Sequence, residues 1–341
     1  MKNKPKFTPD PKLKLMDQVR QVLRYHHYAL TTEQTYTQWI VRFIRYFNAN
    51  QHPRDMGVQE IEAFLSHLAT TEQVSAATQR QALNAIIFLY KHVLDMELHD
   101  AISPIRAKRR PRLPVVMSQT ETQAVLGQMQ GLHLLMAELL YGAGLRLMEC
   151  VRLRVNSLDM DRGLIYVRFG KGNKDRSVPL PKSLFGKLQH QIDAVKQIHA
   201  ADLADGYGEA WLPAGFARKI GSAAKDFGWQ YLFPAKKRSI DPRSGKMYRH
   251  HVLSSGLQKS VRVAVRRTGL AKRVTCHTFR HSYATHLLEN GVNIRVVQEL
   301  MGHADVKTTE IYTHVMQKNL SSVESPLDQL QNAQLSAQAM D

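Results

Sequence analysis

Cysteine is almost absent from this chain: Cys150 and Cys276 are the two thiols among 341 residues, and they lie far apart. A disulfide scaffold and an all-cysteine zinc site are thereby excluded, and both residues read as small core side chains. Long apolar runs are also missing, since no segment approaches the roughly 18 consecutive apolar residues of a membrane span. The N-terminus, Met1-Lys2-Asn3-Lys4-Pro5-Lys6, carries the charge of a signal peptide's first region without an apolar stretch behind it, so a cytoplasmic location with no membrane partner is expected. There is no Gly-Lys-Ser/Thr phosphate loop and no cluster of acidic metal ligands, so no cofactor and no metal are expected. Acidic residues are outnumbered: 29 Asp+Glu face 47 Lys+Arg, a formal net charge of +18. Such an excess serves a polyanion, nucleic acid ahead of a membrane surface.

What is present is ordinary globular material, 43% hydrophobic and 22% charged, enough to build a core without staples. The length exceeds the roughly 100–200 residues of one domain, which predicts two. Residues 1–102 read as a small helical bundle. Leu13 to Tyr28 suits a first helix. Thr31 with Gln34 forms a capping-box pattern, after which Tyr36, Trp39, Ile40, Phe43, Ile44 and Phe47 recur at helical spacing. Val58, Ile61, Phe64, Leu65 and Leu68 mark another helix, and one starting near Ser75 carries Leu83, Ile86, Ile87, Tyr90 and Leu94.

Over residues 103–114 periodicity fails, and three prolines bracket Arg106, Lys108, Arg109, Arg110 and Arg112. This is a basic interdomain linker. A charge run of this kind is commonly just solvated, but one joining two basic domains also suits a phosphate backbone, and DNA contact is the expectation here.

The second domain, 115–325, opens on a capping box at Ser118 and Glu121, followed by a buried helix over Leu132 to Tyr141. Leu164 to Phe169 and Ser177 to Leu180 read as strands joined by Gly170-Lys171-Gly172-Asn173-Lys174-Asp175, a hairpin with Lys171 at or near its tip. The fold class expected is therefore mainly α with a small β-sheet. Residues from about 190 to 251 change character, with many aromatic and turn residues, before helices resume at Val252. The end, 326–341, reads as a frayed tail.

Three segments carry chemistry. In Tyr141-Gly142-Ala143-Gly144-Leu145-Arg146-Leu147-Met148-Glu149-Cys150, two glycines break the buried helix and an arginine starts the next. In His277-Thr278-Phe279-Arg280-His281-Ser282-Tyr283-Ala284-Thr285-His286-Leu287-Leu288, closed by Gly291, Phe279, Tyr283 and Leu287 share one helical face. His277 and Arg280 emerge together on a neighbouring face. The third segment joins Gly302-His303 to Tyr312, the latter expected on a second short helix. Taken singly, Arg146 reads as a surface ion pair and Gly-Lys-Gly as a plain turn. His277, His281 and His286 have zinc-like spacing but lack the glutamate or cysteines of known sites. Glu149 suits orienting an arginine better than acting as a base.

In this order and spacing the segments resemble the tyrosine recombinase (phage integrase) family, whose members surround one phosphate with Arg, Lys, His-x-x-Arg, His and Tyr. The resemblance covers residues from about 12 to about 320 and assigns those roles to Arg146, Lys171, His277, Arg280, His303 and Tyr312. It implies an N-terminal core-binding domain and an α/β, mostly helical catalytic domain in a bacterial cytoplasmic enzyme. Two guanidinium forks would carry the phosphate charge without a metal. Tyr312 would attack with the help of His277 or His303, and Lys171, or its rival Lys174, would protonate the leaving 5′-oxygen. The phosphotyrosyl bond conserves the energy for rejoining, so ATP is not needed. The family acts as a tetramer on two sites, formed here from a protein monomeric in solution, and residues from Gln317 onward would link protomers.

The stretch at about 190–251, with Tyr231-Leu232-Phe233-Pro234, Asp241-Pro242-Arg243-Ser244-Gly245 and Arg249-His250-His251, looks like the insertion of integron integrases. That resemblance implies gene-cassette sites that include single strands folded into hairpins, read through extrahelical bases. Flipped-out bases offer π-faces to aromatic, histidine or proline surfaces, and Pro242, His250 and His251 are the candidates. Trp211 and Trp229 read as a satellite core. The alternatives are an Xer- or phage-type recombinase or a type IB topoisomerase on duplex DNA, and a non-catalytic DNA-binding protein of the same fold.

Overall fold

The computed structural model describes residues 7–48, 51–98, 102–107, 113–168 and 175–313. Lys171, Lys174, Lys108, Arg109, Arg110, Arg112 and everything from His314 onward lie outside them. Contacts divide the chain into two compact units, residues 1–112 and 113–341.

The first unit packs α1 (Leu15–Tyr25), α2 (Leu30–Tyr46), α3 (Val58–Thr70) and α4 (Ala76–Phe88) around Phe43, Phe64, Ile40, Leu65 and Ile86. The expected Thr31 capping box is not formed. α2 begins at Leu30, so its N-cap is Ala29, two residues before Thr31, and no side chain caps it. Ser75 does cap α4, its hydroxyl accepting from the Thr78 N–H. The apolar stripe of α4 continues through a π-helical turn, Leu89–Leu94, closed by Asp95 in the left-handed region at φ 58°. This turn buries Tyr90, whose hydroxyl donates to Met56 O at 3.2 Å.

The start of the predicted linker is tied to this bundle. Ser103 N–H donates to Glu62, Ile105 N–H to Ser66, and the Gln79 amide bridges Ile105 O and Ala107 N–H. Arg106, in that tied stretch, is exposed.

In the second unit, α5 (Gln119–Gly127) opens on the Ser118/Glu121 capping box, and α6 (Gly131–Gly142) is the buried central helix. α7 (Leu147–Val151) follows. A three-stranded antiparallel sheet comes next: β1 (Leu158–Asp159), β2 (Leu164–Val167) and β3 (Arg176–Pro179), with Val167 paired to Arg176. α8 (Phe185–Ala204) then runs well into the stretch read as irregular, so the insertion begins as helix. α9 (Ala214–Ile220) and a small hairpin of β4 (Ser239–Ile240) and β5 (Met247–Tyr248) complete it. Four helices close the unit: α10 (Ser254–Arg267), α11 (Cys276–Glu289), α12 (Ile294–Met301) and α13 (Lys307–Glu310). The core gathers α6, the sheet and α10 around Leu139, Val151, Ile165, Leu257 and Phe279. Both cysteines are buried thiols. No described helix is long and apolar enough to cross a membrane.

Candidate active site

Gly144 brings the chain from α6 into α7 at φ 60°, with the Tyr283 ring only 2.4 Å from where a Cβ would stand. Any side chain there would displace the ring, so the Gly-Ala-Gly break is a close approach as well as a turn. Arg146 then occupies the N-cap of α7. Its backbone N–H donates to Glu149 Oε2 at 2.8 Å and its Nη1 to Glu149 Oε1 at 2.7 Å. The carboxylate thus fills the first helical turn, where orphan N–H groups and the helix dipole favour an anion.

Guanidinium groups from three elements converge on the end of α12. Arg146 Nη2 donates to Gly302 O at 2.9 Å, and Arg176 Nε, from β3, to Leu300 O at 2.9 Å. Arg280, from α11 and 4% exposed, donates to Met301 O and, on its other branch, to Gly144 O. Three successive carbonyls at the negative end of one helix therefore each take a different arginine. Burial, with Arg146 alongside, lowers the Arg280 pKa to about 9, which leaves it a cation at neutral pH. His303 follows the left-handed cap Gly302. Its Nε2 lies 3.4 Å from Arg280 Nη2 and its Nδ1 2.9 Å from Thr309 Oγ1.

Tyr312 lies in the turn after α13 rather than on a helix. It is 2% exposed and packs with Tyr283, Ala284, Leu288, Val297 and Met301. Its ring faces His303 at 6.3 Å between centroids and 18° between planes, but its hydroxyl meets His281, 2.9 Å from Nδ1. Burial raises the Tyr312 pKa, and nearby Arg280 and Arg146 only partly offset this. Burial and neighbouring charge bring His281 and His303 down to about 4, so both are uncharged at neutral pH. His277 sits in the first turn of α11 with an exposed edge, and partial burial together with Arg280 and Arg146 lowers its pKa.

Arg146, Arg280, His303 and Tyr312 are thus brought together, with His277 on the same helix as Arg280. Sequence reading missed Arg176 and the contact of His281 with the phenol. His281 follows Arg280 directly, but its spacing was read only against zinc. Among the described residues no group of His, Cys, Asp and Glu is arranged to hold a metal.

Glu149 carries a pH signature. Burial by itself would raise its pKa, but hydrogen bonds and charge from Arg176 and Arg146 hold it at about 2, against an ordinary 4.5. Because the folded pKa is depressed, the stabilisation is complete above the unfolded value and lost as pH falls through the folded one. The window therefore runs from about pH 5 to about pH 2, and the contribution is on the order of 3 kcal/mol. Denaturant unfolding across that window should show the wild type losing that much more stability than Glu149→Gln.

In the insertion, Arg154 organises the aromatic residues. It donates to Trp211 O at 2.7 Å and to Trp229 O, and its guanidinium lies 4.4 Å over the Tyr231 ring. The His250 ring stands 5.2 Å from Tyr231 and 4.1 Å from that of His251. Both histidines are half-buried, while Pro242 is exposed in the turn of the β4–β5 hairpin. Burial, with His251 and arginines nearby, takes His250 to about 4. The hairpin is anchored on α8 by buried Asp202, which pairs with Arg238 at 3.2 Å and chelates Arg249.

Comparison with known proteins identifies the class. Residues 116–319 match the model of the phage integrase family, and residues 15–100 that of the phage integrase N-terminal SAM-like domain. An integrase/recombinase of Escherichia coli is 44% identical over 318 residues, covering 93% of this chain and 94% of the relative. Tyrosine recombinase XerD of Lacticaseibacillus casei is 30% identical over 312 residues, 86% of this chain and 91% of the relative. Among solved structures, XerH recombinase bound to a palindromic difH substrate has a TM-score of 0.57 at 18% identity, covering 92% and 97% of the two chains. A lambda integrase dimer bound to a COC′ core site has a TM-score of 0.57 at 16% identity, covering 91% and 98%. The chain belongs to the phage integrase, or tyrosine recombinase, family of enzymes that cleave and rejoin DNA strands. It has that family's helical N-terminal domain and mixed, mostly helical catalytic domain.

Proposed function

We propose that this recombinase is an integron-type integrase that inserts and excises gene cassettes at DNA attachment sites, including single strands folded into hairpins. In this reading Arg146 and Arg280 hold the non-bridging oxygens of the scissile phosphate, and the Tyr312 oxygen attacks phosphorus. The phenolic proton passes to a histidine, His277 or His303. The P–O5′ bond breaks as Lys171 protonates the departing oxygen, leaving a 3′-phosphotyrosine, and reversal with another 5′-hydroxyl rejoins the strands. The supporting observation is the convergence of Arg146, Arg280, His303 and Tyr312 around one α-helix terminus. The assembly is read as a tetramer on two sites, with 103–114 as a linker contacting DNA.

The cassette-site part of the reading rests on the insertion. His250 is uncharged at neutral pH and sits among Tyr231, Trp211 and His251, so it suits stacking on a base better than pairing with phosphate. Pro242, in the turn of the β4–β5 hairpin, offers an exposed apolar face. An Xer-type enzyme on ordinary duplex is the second reading, favoured by the XerD relative.

The test incubates wild-type protein in EDTA with a folded single-stranded attachment hairpin and with its full duplex, then measures denaturation-resistant adducts. More adduct on the hairpin is expected, with His250→Ala and Pro242→Ala losing that preference by about 1–3 kcal/mol per stacked base. Equal or greater adduct on duplex would favour the Xer-type reading.

A further inference from the structure

We propose that Arg176 is a positioning residue for the phosphate cage, clamping Glu149 so that Arg146 is held in register with the end of α12. The proposal rests on the recombinase reading above and adds a residue to it. Arg176 stands at the start of β3, and its side chain is 11% exposed. Its Nη1 and Nη2 donate to the two Glu149 oxygens at 2.9 and 2.7 Å in a fork-on-fork pair, and its Nε is spent on Leu300 O. With all three nitrogens committed to the protein, Arg176 is a brace. Arg146 differs: among the described residues its Nε has no hydrogen-bond partner, which leaves it as a donor for a phosphate oxygen.

The geometry makes Glu149 the hinge between the two. One carboxylate receives Arg146 Nη1, the Arg146 backbone N–H and both branches of Arg176. Removing Arg176 takes away two of the four hydrogen bonds on Glu149 and leaves the carboxylate tied only to Arg146 itself, so the fork loses its anchor to β3. The fit is tight at the other end too, because a Cβ at Gly302 would lie 3.0 Å from Arg176 Cδ and 3.2 Å from its Nε. A lysine at position 176 could reach one oxygen but not the pair and the carbonyl together, since the planar fork is what satisfies them at once.

The experiment compares Arg176→Gln and Arg176→Lys with wild type in single-turnover cleavage of a DNA site, alongside DNA affinity at several salt concentrations. Cleavage should fall by about 10²-fold in Arg176→Gln, the size of effect expected when a group is misplaced by about 1 Å. Arg176→Lys should recover part of it. Affinity and its salt slope should stay unchanged. Glu149→Gln should reproduce the defect, and the double variant should be no worse than the worse single one. A drop in affinity with a salt slope shallower by about 1 would make Arg176 a phosphate contact and overturn the proposal. Wild-type cleavage in either Arg176 variant would overturn it as well. A second readout needs no activity: the Arg146 Nε–H NMR signal of the free protein should shift and broaden in both variants, and an unchanged signal counts against the brace. If the wild type itself formed no covalent adduct, the recombinase reading would fail while that signal still decided the role of Arg176.

Discussion

Tyr312→Phe is expected to abolish the denaturation-resistant protein–DNA adduct while leaving DNA affinity intact. The phenol oxygen is the atom that would bond to phosphorus, and no neighbouring group can replace it, so the loss should reach about four orders of magnitude or more. The substitution is mild for the fold. The ring packs among Tyr283, Ala284, Leu288, Val297 and Met301, and all of that contact survives in phenylalanine. What disappears besides the proposed nucleophile is the 2.9 Å hydrogen bond to His281 Nδ1. In the free protein the phenol is 2% exposed, so the proposed attack on phosphorus requires it to turn out of this pocket. Persistence of the adduct in Tyr312→Phe would assign the nucleophile elsewhere.

The sequence was most informative where chemistry and local geometry coincide. Arg146 had to follow a glycine break, His277 and Arg280 had to be one helical turn apart, and His303 had to follow a glycine cap. Such constraints leave a fixed order and spacing. The same locality made the Ser75 and Ser118 caps readable, since each is a contact within four residues. At Thr31 a comparable pattern fails because the helix is capped two residues earlier, at Ala29, and Thr31 already lies within α2.

The long-range contacts were not readable. Arg176 and Leu300 are 124 positions apart, and His281 and Tyr312 are 31 apart. Nothing in the local pattern around Asp175-Arg176 separates a strand-end surface arginine from one braced against a helix terminus. The insertion shows the same division. Its turns and aromatic residues are visible, but most of α8, from about residue 190 onward, is not legible as helix, and Asp202, the anchor of the hairpin, has no signal.

Arg280→Lys is expected to lower the cleavage rate by about 10²–10³-fold, the range for losing one preorganised donor to a developing anionic charge. The charge survives the change, so any residual activity measures what the fork adds. In the native arrangement one branch of the guanidinium holds Gly144 O and the other Met301 O, which fixes the plane of the fork. Lysine can satisfy one of these carbonyls at best. The other becomes a buried, unpaired acceptor costing about 1–3 kcal/mol, so a lowered unfolding midpoint should accompany the kinetic loss. The two effects are separable. If destabilisation alone were responsible, cooling or added DNA would restore the rate along with the folded population, whereas loss of the fork leaves the fully folded variant slow. A folded Arg280→Lys variant that cleaves at the wild-type rate would remove Arg280 from the phosphate and leave it as a clip between α6 and α12.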